Sequence, residues 1–168
     1  KAFVEQGWGS IAGPEAYGGQ ALPFTLATAV LETLGAANMG FTLLPMLTVG
    51  AIEALDHHGS AAQKALYLPK LISGEWSGTM NLTEPQAGSD VGALRTTAVP
   101  IGDGPHAGKY RINGTKIYIT FGEHDAAENI IHLVLARTPD APEGSRGISL
   151  FIVPKFHVEH DGSLGERN

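Results

Sequence analysis

The sequence predicts an α+β fold, in which an N-terminal helical segment is followed by a small antiparallel β-barrel or sandwich. Before residue 75 the apolar residues recur at helical spacing, whereas from Trp76 onward short Thr-, Val- and Ile-rich runs alternate with Gly, Pro, Asn and Asp. The change falls at the stretch from Met80 to Asp90, where an apolar run passes into a turn-forming sequence. Because ligand crevices often lie where the architecture changes, this stretch is the first candidate site.

The composition excludes several classes of protein. The chain has 168 residues and a formal net charge of −6, without a run of Lys and Arg that could neutralise phosphates, so a nucleic-acid partner is not expected. Cysteine is absent, which excludes disulfides and thiolate metal sites and suits a reducing compartment. Neither a signal peptide nor a bilayer-length run free of charge and Pro is found. We therefore expect a cytoplasmic location and no membrane span.

The N-terminal part begins with a loop and continues with helices. Gly-rich residues 7–19 predict an ordered surface loop that packs through Trp8 and Tyr17. A helix is predicted from Phe24 to a stop at Gly35, and a second one over residues 41–55 despite Pro45, so that the two form an αα-hairpin.

Two shorter elements complete the helical part. Ser60 is expected to cap a helix that runs to Leu66, and Pro69 to Gly74 to form one further turn. The apolar composition of residues 43–55 would allow this region to line an apolar pocket.

The stranded part is predicted from runs with β-forming residues. Asn113-Gly114 is the strongest hairpin signal, since tight primed turns need positive φ at both central residues. The chain starts without Met and ends in a turn-rich run at 162–168 with no finishing element, which indicates a fragment. The predicted strands are 79–83, 96–99, 109–113, 115–120, 130–136 and 148–153.

Two gapped motifs carry a family resemblance. Thr83-Glu84-Pro85-x-Ala87-Gly88-Ser89-Asp90, followed by Ile112-Asn113-Gly114-x-Lys116-x-Tyr118-Ile119-Thr120, resembles the flavin-binding middle domain of acyl-CoA dehydrogenases. Tyr17-Gly18-Gly19 and the run from Tyr67 to Glu75 are similar to the end of the N-terminal helical domain of that family. The resemblance implies that residues 1–75 are the C-terminal part of the helical domain, that 76–168 form the middle β-barrel domain binding FAD and acyl-CoA, and that the C-terminal helical domain is absent. The runs 80–82, 121–125 and 162–168 resemble the branch that includes methylmercaptopropionyl-CoA dehydrogenases.

The resemblance also implies roles for individual residues around a bound FAD. Backbone groups of Met80 and Leu82, with the Thr83 hydroxyl, would meet the pyrimidine edge, where reduction places negative charge. Tyr118 would cover one face of the ring system, and Thr120 would bond near N5, with Ile119 between them. Ser89, on the turn with Gly88, would contact the flavin pyrophosphate or the CoA portion of the substrate. Tyr118 stands where many relatives have Trp, so a phenol tip needs a polar partner.

The implied reaction is the α,β-dehydrogenation of an acyl-CoA thioester. In the family the Glu that removes the α-proton lies in the C-terminal domain, so no catalytic residue is expected in this chain. Glu84, next to Pro85 in a turn, is expected to cap a loop or to pair with a basic residue. The resemblance further implies an electron-transferring flavoprotein as acceptor and a homo-oligomer at full length.

Other interpretations of the same residues remain open. Thr83 and Thr120 can be ordinary strand residues, Tyr118 an aromatic of a barrel wall, and Ser89-Asp90 a simple turn. A metal site is not expected, because the histidines are scattered and the best cluster, Glu123-His124-Asp125, is typical of a solvated loop. An acyl-CoA oxidase, an alkylation-response-type flavoprotein or a scaffold domain without a cofactor are the alternative functions.

Overall fold

The computed structural model describes residues 2–168, which form two compact units. The first unit contains the chain as far as Thr79, together with residues 120–132 and 153–168. The second unit contains Met80–Ile119 and Leu133–Ile152. Three strands pass from one unit into the other, so the division differs from a simple split into helical and stranded halves.

The N-terminal residues of the first unit form a short helix, α1 (Ala2–Glu5), and then a loop with two 3-10 turns, Trp8–Ser10 and Glu15–Tyr17. The predicted loop is confirmed; of the two aromatics expected to pack, Tyr17 is half-buried, whereas 47% of Trp8 is exposed. Ile11 is buried instead. Gly13 lies so close to α3 (Ala61–Ser73) that an added Cβ would be 3.2 Å from an Ile72 side-chain carbon.

The predicted pair of helices is found as two helical halves of one continuous span, α2 (Phe24–His58). Its only non-helical residue is Asn38, with φ −157° and ψ 91°, so the break lies three positions beyond the predicted stop at Gly35. Asn38 begins the second half as an N-cap would, because its Oδ1 accepts a hydrogen bond from the Phe41 N–H at 3.0 Å. The two halves are thus two helices that meet at Asn38 without an intervening loop. Pro45 lies inside the second half.

The burial of α2 is concentrated in its second half, where Thr48, Ile52 and Leu55 are buried at helical spacing. By length and composition α2 is also apolar enough to cross a bilayer, although it contains Glu32 and Pro45. Such a composition is equally expected of a helix that packs in a protein core, and α2 packs against α3.

The predicted cap at Ser60 is confirmed as a capping box. Ser60 Oγ accepts from the Gln63 N–H at 3.2 Å, and Gln63 Oε1 accepts from the Ser60 N–H at 2.8 Å. The helix does not stop near Leu66 but runs through Pro69 to Ser73 and ends at Gly74, whose φ of 78° is left-handed. Leu68, Leu71 and Ile72 form its buried face.

Seven strands form three separate sheets. One sheet has three strands in the order β1-β4-β5, with β4 in the centre, and the pairs β2–β3 and β6–β7 are antiparallel ribbons. The α+β class is confirmed; residues 2–168 form no closed barrel, and the barrel or sandwich stays a prediction. The strands are β1 (Trp76–Asn81), β2 (Thr97–Pro100), β3 (Tyr110–Asn113), β4 (Asn129–Ala136), β5 (Ser149–Pro154), β6 (Phe156–Val158) and β7 (Leu164–Arg167).

The predicted hairpin at Asn113-Gly114 is wrong, and residues 115–120 are not a strand. β3 pairs with the preceding strand, β2, with Thr97 opposite Asn113 and Pro100 opposite Tyr110. Gly114 does not have positive φ; an added Cβ there would lie 2.2 Å from Thr96 Oγ1. The glycine is therefore explained by close contact with Thr96 rather than by a primed turn.

The C-terminal run also differs from the expectation of a turn without a finishing element. Residues 164–167 form β7, which pairs with β6 across a turn containing Gly162 at φ 84°. Asp161 Oδ1 accepts hydrogen bonds from the Ser163 N–H at 2.9 Å and from the Ser163 hydroxyl at 2.7 Å. The polar turn residues thus connect two short strands.

Candidate functional site

The first site segment follows the end of β1 and closes into a tight turn in the second unit. The Glu84 N–H donates to Ala87 O at 2.9 Å, and the Ala87 N–H donates back to Glu84 O at 3.0 Å. Pro85 and Gln86 occupy the tip of this turn, where the fixed φ of Pro is compatible with chain reversal. Leu82 and Thr83 are half-buried, as is Met80 in the last part of β1.

Glu84 is buried at this turn, with 3% of its surface exposed. Its carboxylate accepts five hydrogen bonds: from Lys116 Nζ at 2.8 Å, the Arg95 N–H at 2.7 Å, Gln86 Nε2 at 2.6 Å, and the N–H and hydroxyl of Thr96 at 3.0 and 2.6 Å. Burial by itself would raise the pKa of Glu84, but these donors outweigh it and lower the pKa to about 2. The carboxylate is therefore ionised at neutral pH and fully engaged.

The second site segment, residues 116–118, lies against the first. Lys116 Nζ donates to Leu82 O at 3.1 Å as well as to Glu84, and the Ile117 N–H donates to Thr83 O at 2.9 Å. Two consecutive residues of one segment thus bind three consecutive residues of the other. The structure brings together the two motifs that lie more than thirty positions apart in the sequence.

Tyr118 follows directly and has an unusual combination of properties. Its φ is 57°, in the left-handed region that non-glycine residues rarely adopt, and 90% of its surface is exposed. A left-handed backbone at a non-glycine residue costs free energy and is often found at functional sites, so Tyr118 is a candidate for a functional role. Ile119, the next residue, is half-buried.

Thr120 belongs to the first unit, where its backbone carbonyl is fixed. The hydroxyl of buried Thr79 donates to Thr120 O at 2.7 Å. Phe121 again has a left-handed φ of 50°, and its ring meets the His124 ring edge-on at 5.5 Å between centroids. The chain is therefore tightly constrained through the residues that follow the Tyr-Ile-Thr motif.

Gly88 and Ser89 lie on an exposed turn that follows the Glu84–Ala87 turn. Both residues are exposed, and an added Cβ at Gly88 would contact nothing within 4 Å. The 3-10 turn after it, Val91–Ala93, is held by Arg137, whose guanidinium donates to Gly92 O at 2.6 Å and Leu94 O at 3.2 Å. Arg137 also donates to the carbonyls of Pro142 and Gly144, at 2.9 and 2.7 Å.

A polar cluster in the first unit surrounds His124. Its Nδ1 accepts from the Ala126 N–H at 3.1 Å, so the proton of the neutral ring is on Nε2, which donates to Ser77 Oγ at 3.0 Å. Burial, and next the charge of Lys155, lower the pKa of His124. Lys155 itself is paired with Glu123 at 2.5 Å, and Glu123 also binds Arg167 at 2.6 Å.

The first unit also contains a cavity of about 250 Å³. Leu44, Pro45 and Thr48 contribute to its wall, which agrees with the expectation that residues 43–55 line an apolar pocket. Trp76, 1% exposed, lines it as well, and its Nε1 has no hydrogen-bond partner among residues 2–168.

Metal ligands are not grouped in the part of the chain that the structure describes. Residues 2–168 contain no set of three or more His, Asp or Glu side chains arranged to hold an ion.

Sequence reasoning found some of these residues and missed others. The pairing of Glu84 with a basic residue was expected and is found, but Lys116 was not identified as its partner. Arg137 and Thr79 were missed as well. Lys116 lies inside the second motif, so its spacing was a usable signal, whereas nothing local marks Arg137 as a ligand of four carbonyls.

Comparison with known proteins finds two domain models of one family in the chain. The family model of the acyl-CoA dehydrogenase N-terminal domain matches residues 1–75, and that of the acyl-CoA dehydrogenase middle domain matches residues 79–167. The chain belongs to the acyl-CoA dehydrogenase family, which confirms the resemblance found in the sequence.

Among individual relatives, 3-methylmercaptopropionyl-CoA dehydrogenase of Ruegeria pomeroyi is 59% identical over 166 residues. The match covers 99% of this chain but 28% of that enzyme, so the chain spans little more than a quarter of the length of this relative. The predicted likeness to this branch is thereby confirmed.

Two solved structures show the likeness in three dimensions. An acyl-CoA dehydrogenase of Bacillus anthracis complexed with FAD superimposes with a TM-score of 0.77 at 32% identity, over 92% of this chain and 25% of that one. The prolyl acyl carrier protein oxidase AnaB gives a TM-score of 0.75 at 33% identity, over 92% of this chain and 39% of that one.

Proposed function

We propose that this chain is the flavin- and substrate-binding part of an FAD-dependent acyl-CoA dehydrogenase. In this proposal residues 1–75 are the end of its N-terminal helical domain, 76–168 are its middle domain, and the C-terminal helical domain lies outside the chain. The observation that carries the proposal is the contact between the two motif segments, 82–84 and 116–117, next to the exposed and strained Tyr118.

The residues of this region fit a flavin chemically. An aromatic side chain that is 90% exposed offers a flat apolar surface for a planar ring system. The half-buried Thr83, with the backbone of Met80 and Leu82, could supply polar groups for the edge of such a ring, and the half-buried Ile119 could border it. Thr120, in the first unit, is assigned to the flavin by the family resemblance alone. When bound, FAD supplies the acceptor for the hydride that leaves the β-carbon of the thioester.

The loop with Gly88 and Ser89 is suited to a phosphate group. Ser89 offers an exposed hydroxyl, and Gly88 leaves space for close approach of a ligand to the backbone. The adjoining turn is fixed by Arg137, whose positive charge is bound to four carbonyls, with no carboxylate among these contacts. We assign Ser89 to the flavin pyrophosphate or to the CoA part of the substrate.

The base that removes the α-proton is proposed to lie outside this chain. Glu84 is the only carboxylate directly within the two motif contacts described above, and its pKa of about 2 makes it a poor proton acceptor at neutral pH. Its role is therefore to hold the site rather than to act on the substrate.

The wider setting follows from the same proposal. The substrate would be an acyl-CoA, the electron acceptor an electron-transferring flavoprotein, and the full-length protein a cytoplasmic homo-oligomer without a membrane span. The negative net charge of −6 fits the absence of a nucleic-acid partner.

An oxidase is the second candidate. The structural likeness to an acyl carrier protein oxidase is nearly as high as that to a dehydrogenase, with TM-scores of 0.75 and 0.77. The two functions differ in whether oxygen reoxidises the reduced flavin, so the rate of reoxidation in air separates them.

Flavin binding by the full-length protein tests the proposal. We expect Tyr118→Ala to weaken FAD binding roughly tenfold, measured by equilibrium titration of flavin fluorescence, because a stacked aromatic is lost. Tyr110→Ala is the matched control, since Tyr110 is 45% exposed but lies on β3 against Phe151. Absence of FAD from the wild-type protein, or equal effects of both substitutions, would contradict the assignment.

A further inference from the structure

Lys116 is joined to the first site segment by more than its ion pair. Its ammonium group, in a side chain that is 9% exposed, donates to Glu84 at 2.8 Å and to Leu82 O at 3.1 Å. The neighbouring Ile117 N–H donates to Thr83 O at 2.9 Å. We call these three bonds the Lys116 clamp.

The Glu84 end of the clamp is rigid. Four donors besides Lys116 bind the carboxylate, from Gln86, Arg95 and Thr96, so it is fixed without the lysine. A fixed and nearly fully buried anion is a strong anchor for a cation, because the interaction is little screened by water. The position of Lys116 is therefore set by the protein interior.

Tyr118, which directly follows the clamp residue Ile117, has the strained backbone. A left-handed φ costs an L-residue roughly 1–2 kcal/mol, and Tyr118 has a φ of 57°. Its side chain is 90% exposed and gains little from packing, so the conformation has to be imposed by its neighbours. The clamp is the nearest set of bonds before it in the chain.

We propose that Lys116 is a positioning residue for the flavin, which acts through the backbone of Tyr118 by holding segment 116–117 against segment 82–84. This inference rests on the proposed function, since it assigns a role within the same site. Loss of the Lys116 charge would then weaken flavin binding, although in this proposal the flavin contacts the Tyr118 ring and not Lys116.

A double-mutant cycle in the full-length protein tests the proposal. We expect Lys116→Met to weaken FAD binding roughly tenfold in the wild-type background but less than about twofold in the Tyr118→Ala background, because the clamp acts through that residue. Lys109→Met, which removes the same charge from an exposed site of the second unit, is expected to change affinity less than about twofold in both. Equal effects of Lys116→Met in both backgrounds would overturn the proposal.

Loss of folding is controlled with two further variants. Lys116→Arg keeps the charge and is expected to retain most of the affinity, whereas the double variant Glu84→Gln/Lys116→Met leaves no unpaired buried charge and is expected to fold. We expect this folded double variant to bind FAD as weakly as Lys116→Met. Recovery of affinity together with stability would show a purely structural role and overturn the proposal.

A measurement without flavin separates this inference from the proposed function. We expect the Ile117 amide to exchange with solvent at least roughly tenfold faster in Lys116→Met than in the wild type, and to be unchanged in Lys109→Met. An unchanged Ile117 amide would refute the clamp, whatever the result of flavin binding. If the amide loses protection but the wild type binds no FAD, the flavin role of the clamp falls with the proposed function.

Discussion

At the scale of single residues, the site combines a buried charge with a strained exposed ring. Glu84 is nearly inaccessible and has five donors, whereas Tyr118, on the other segment, is open to solvent in a left-handed conformation. The Glu84 carboxylate is held rigidly and is a poor proton acceptor, because its oxygens already accept five hydrogen bonds. Tyr118 accepts an unfavourable conformation that presents an aromatic surface.

The lowered pKa of Glu84 predicts an acid-dependent stability. The pKa is about 2 in the folded chain against an ordinary value of 4.5, so the carboxylate stabilises the fold fully above about pH 5 and loses this contribution as the pH falls towards 2. We expect Glu84→Gln to flatten the pH dependence of the unfolding free energy in this window. Denaturant titrations at several pH values measure it.

The control for this prediction is Glu143→Gln, at an exposed carboxylate of the same unit. This variant is expected to keep the slope of the wild type between pH 5 and pH 2. An identical slope for Glu84→Gln and the wild type would contradict the proton linkage.

Residue-level sequence reasoning selected the two segments that the structure brings together, but not the bonds between them. The spacing of the motifs was enough to select Thr83 and Tyr118 together. The left-handed φ of Tyr118 could not be predicted, since a Tyr between two Ile residues favours an extended strand. That strand was predicted and is wrong, because the tertiary bonds of Lys116 and Ile117 override the local preference.

At the scale of elements, Gly114 is required by contact rather than by a turn. A Cβ at this position would lie 2.2 Å from Thr96 Oγ1 and 2.9 Å from Thr96 Cα, and Thr96 is 2% exposed and bonded to Glu84. The backbone directly after β3 therefore packs against Thr96, which donates hydrogen bonds to the buried Glu84 carboxylate.

The contact predicts that Gly114→Ala destabilises the protein by about 1–3 kcal/mol, the usual cost of overpacking. Gly102→Ala, where an added Cβ contacts nothing within 4 Å, is the matched control and is expected to be close to neutral. Chemical denaturation of both variants provides the comparison. Equal stabilities would show that the Thr96 contact relaxes without cost.

Arg137 determines the position of a loop rather than of a single residue. Its guanidinium binds carbonyls at Gly92 and Leu94 on one side and at Pro142 and Gly144 on the other. We expect Arg137→Met to release these segments, so that the amides of Leu94 and Gly147 exchange at least roughly tenfold faster with solvent. Arg111→Met, at an exposed position of β3, is the control; equal protection in both variants would disprove the assignment.

The elements themselves were predictable in part. Five of the six predicted strands are found with shifted ends, because alternating β-branched residues mark them well. The kink at Asn38 was missed in favour of Gly35, since a side chain that caps the following turn outweighs glycine as a break. Short strands such as β7 lack a pattern of their own and depend on their pairing partner.

At the scale of the whole molecule, the proposed function assigns a flavin-binding surface to this chain and places the catalytic base outside it. The Glu84 carboxylate is engaged, and the chain spans 28% of the length of its Ruegeria relative. Under the proposed function, catalysis therefore needs a carboxylate from elsewhere in the full-length protein.

We expect the 168-residue chain, supplied with FAD and a saturated acyl-CoA without oxygen, to leave the absorbance of the oxidised flavin unchanged. The full-length protein under the same conditions should lose this absorbance when the thioester is oxidised. Turnover by the 168-residue chain alone would show that it does contain the base.

Position 118 also bears on how such a chain could be redesigned. Glycine would relieve the left-handed backbone at no steric cost, so Tyr118→Gly is the substitution that local energetics favour for the free chain. In this proposal, Tyr118 lowers the stability of the fold and in return presents an exposed aromatic ring. Under the proposed function, a selection for heat resistance alone is expected to replace Tyr118 and thereby to weaken flavin binding.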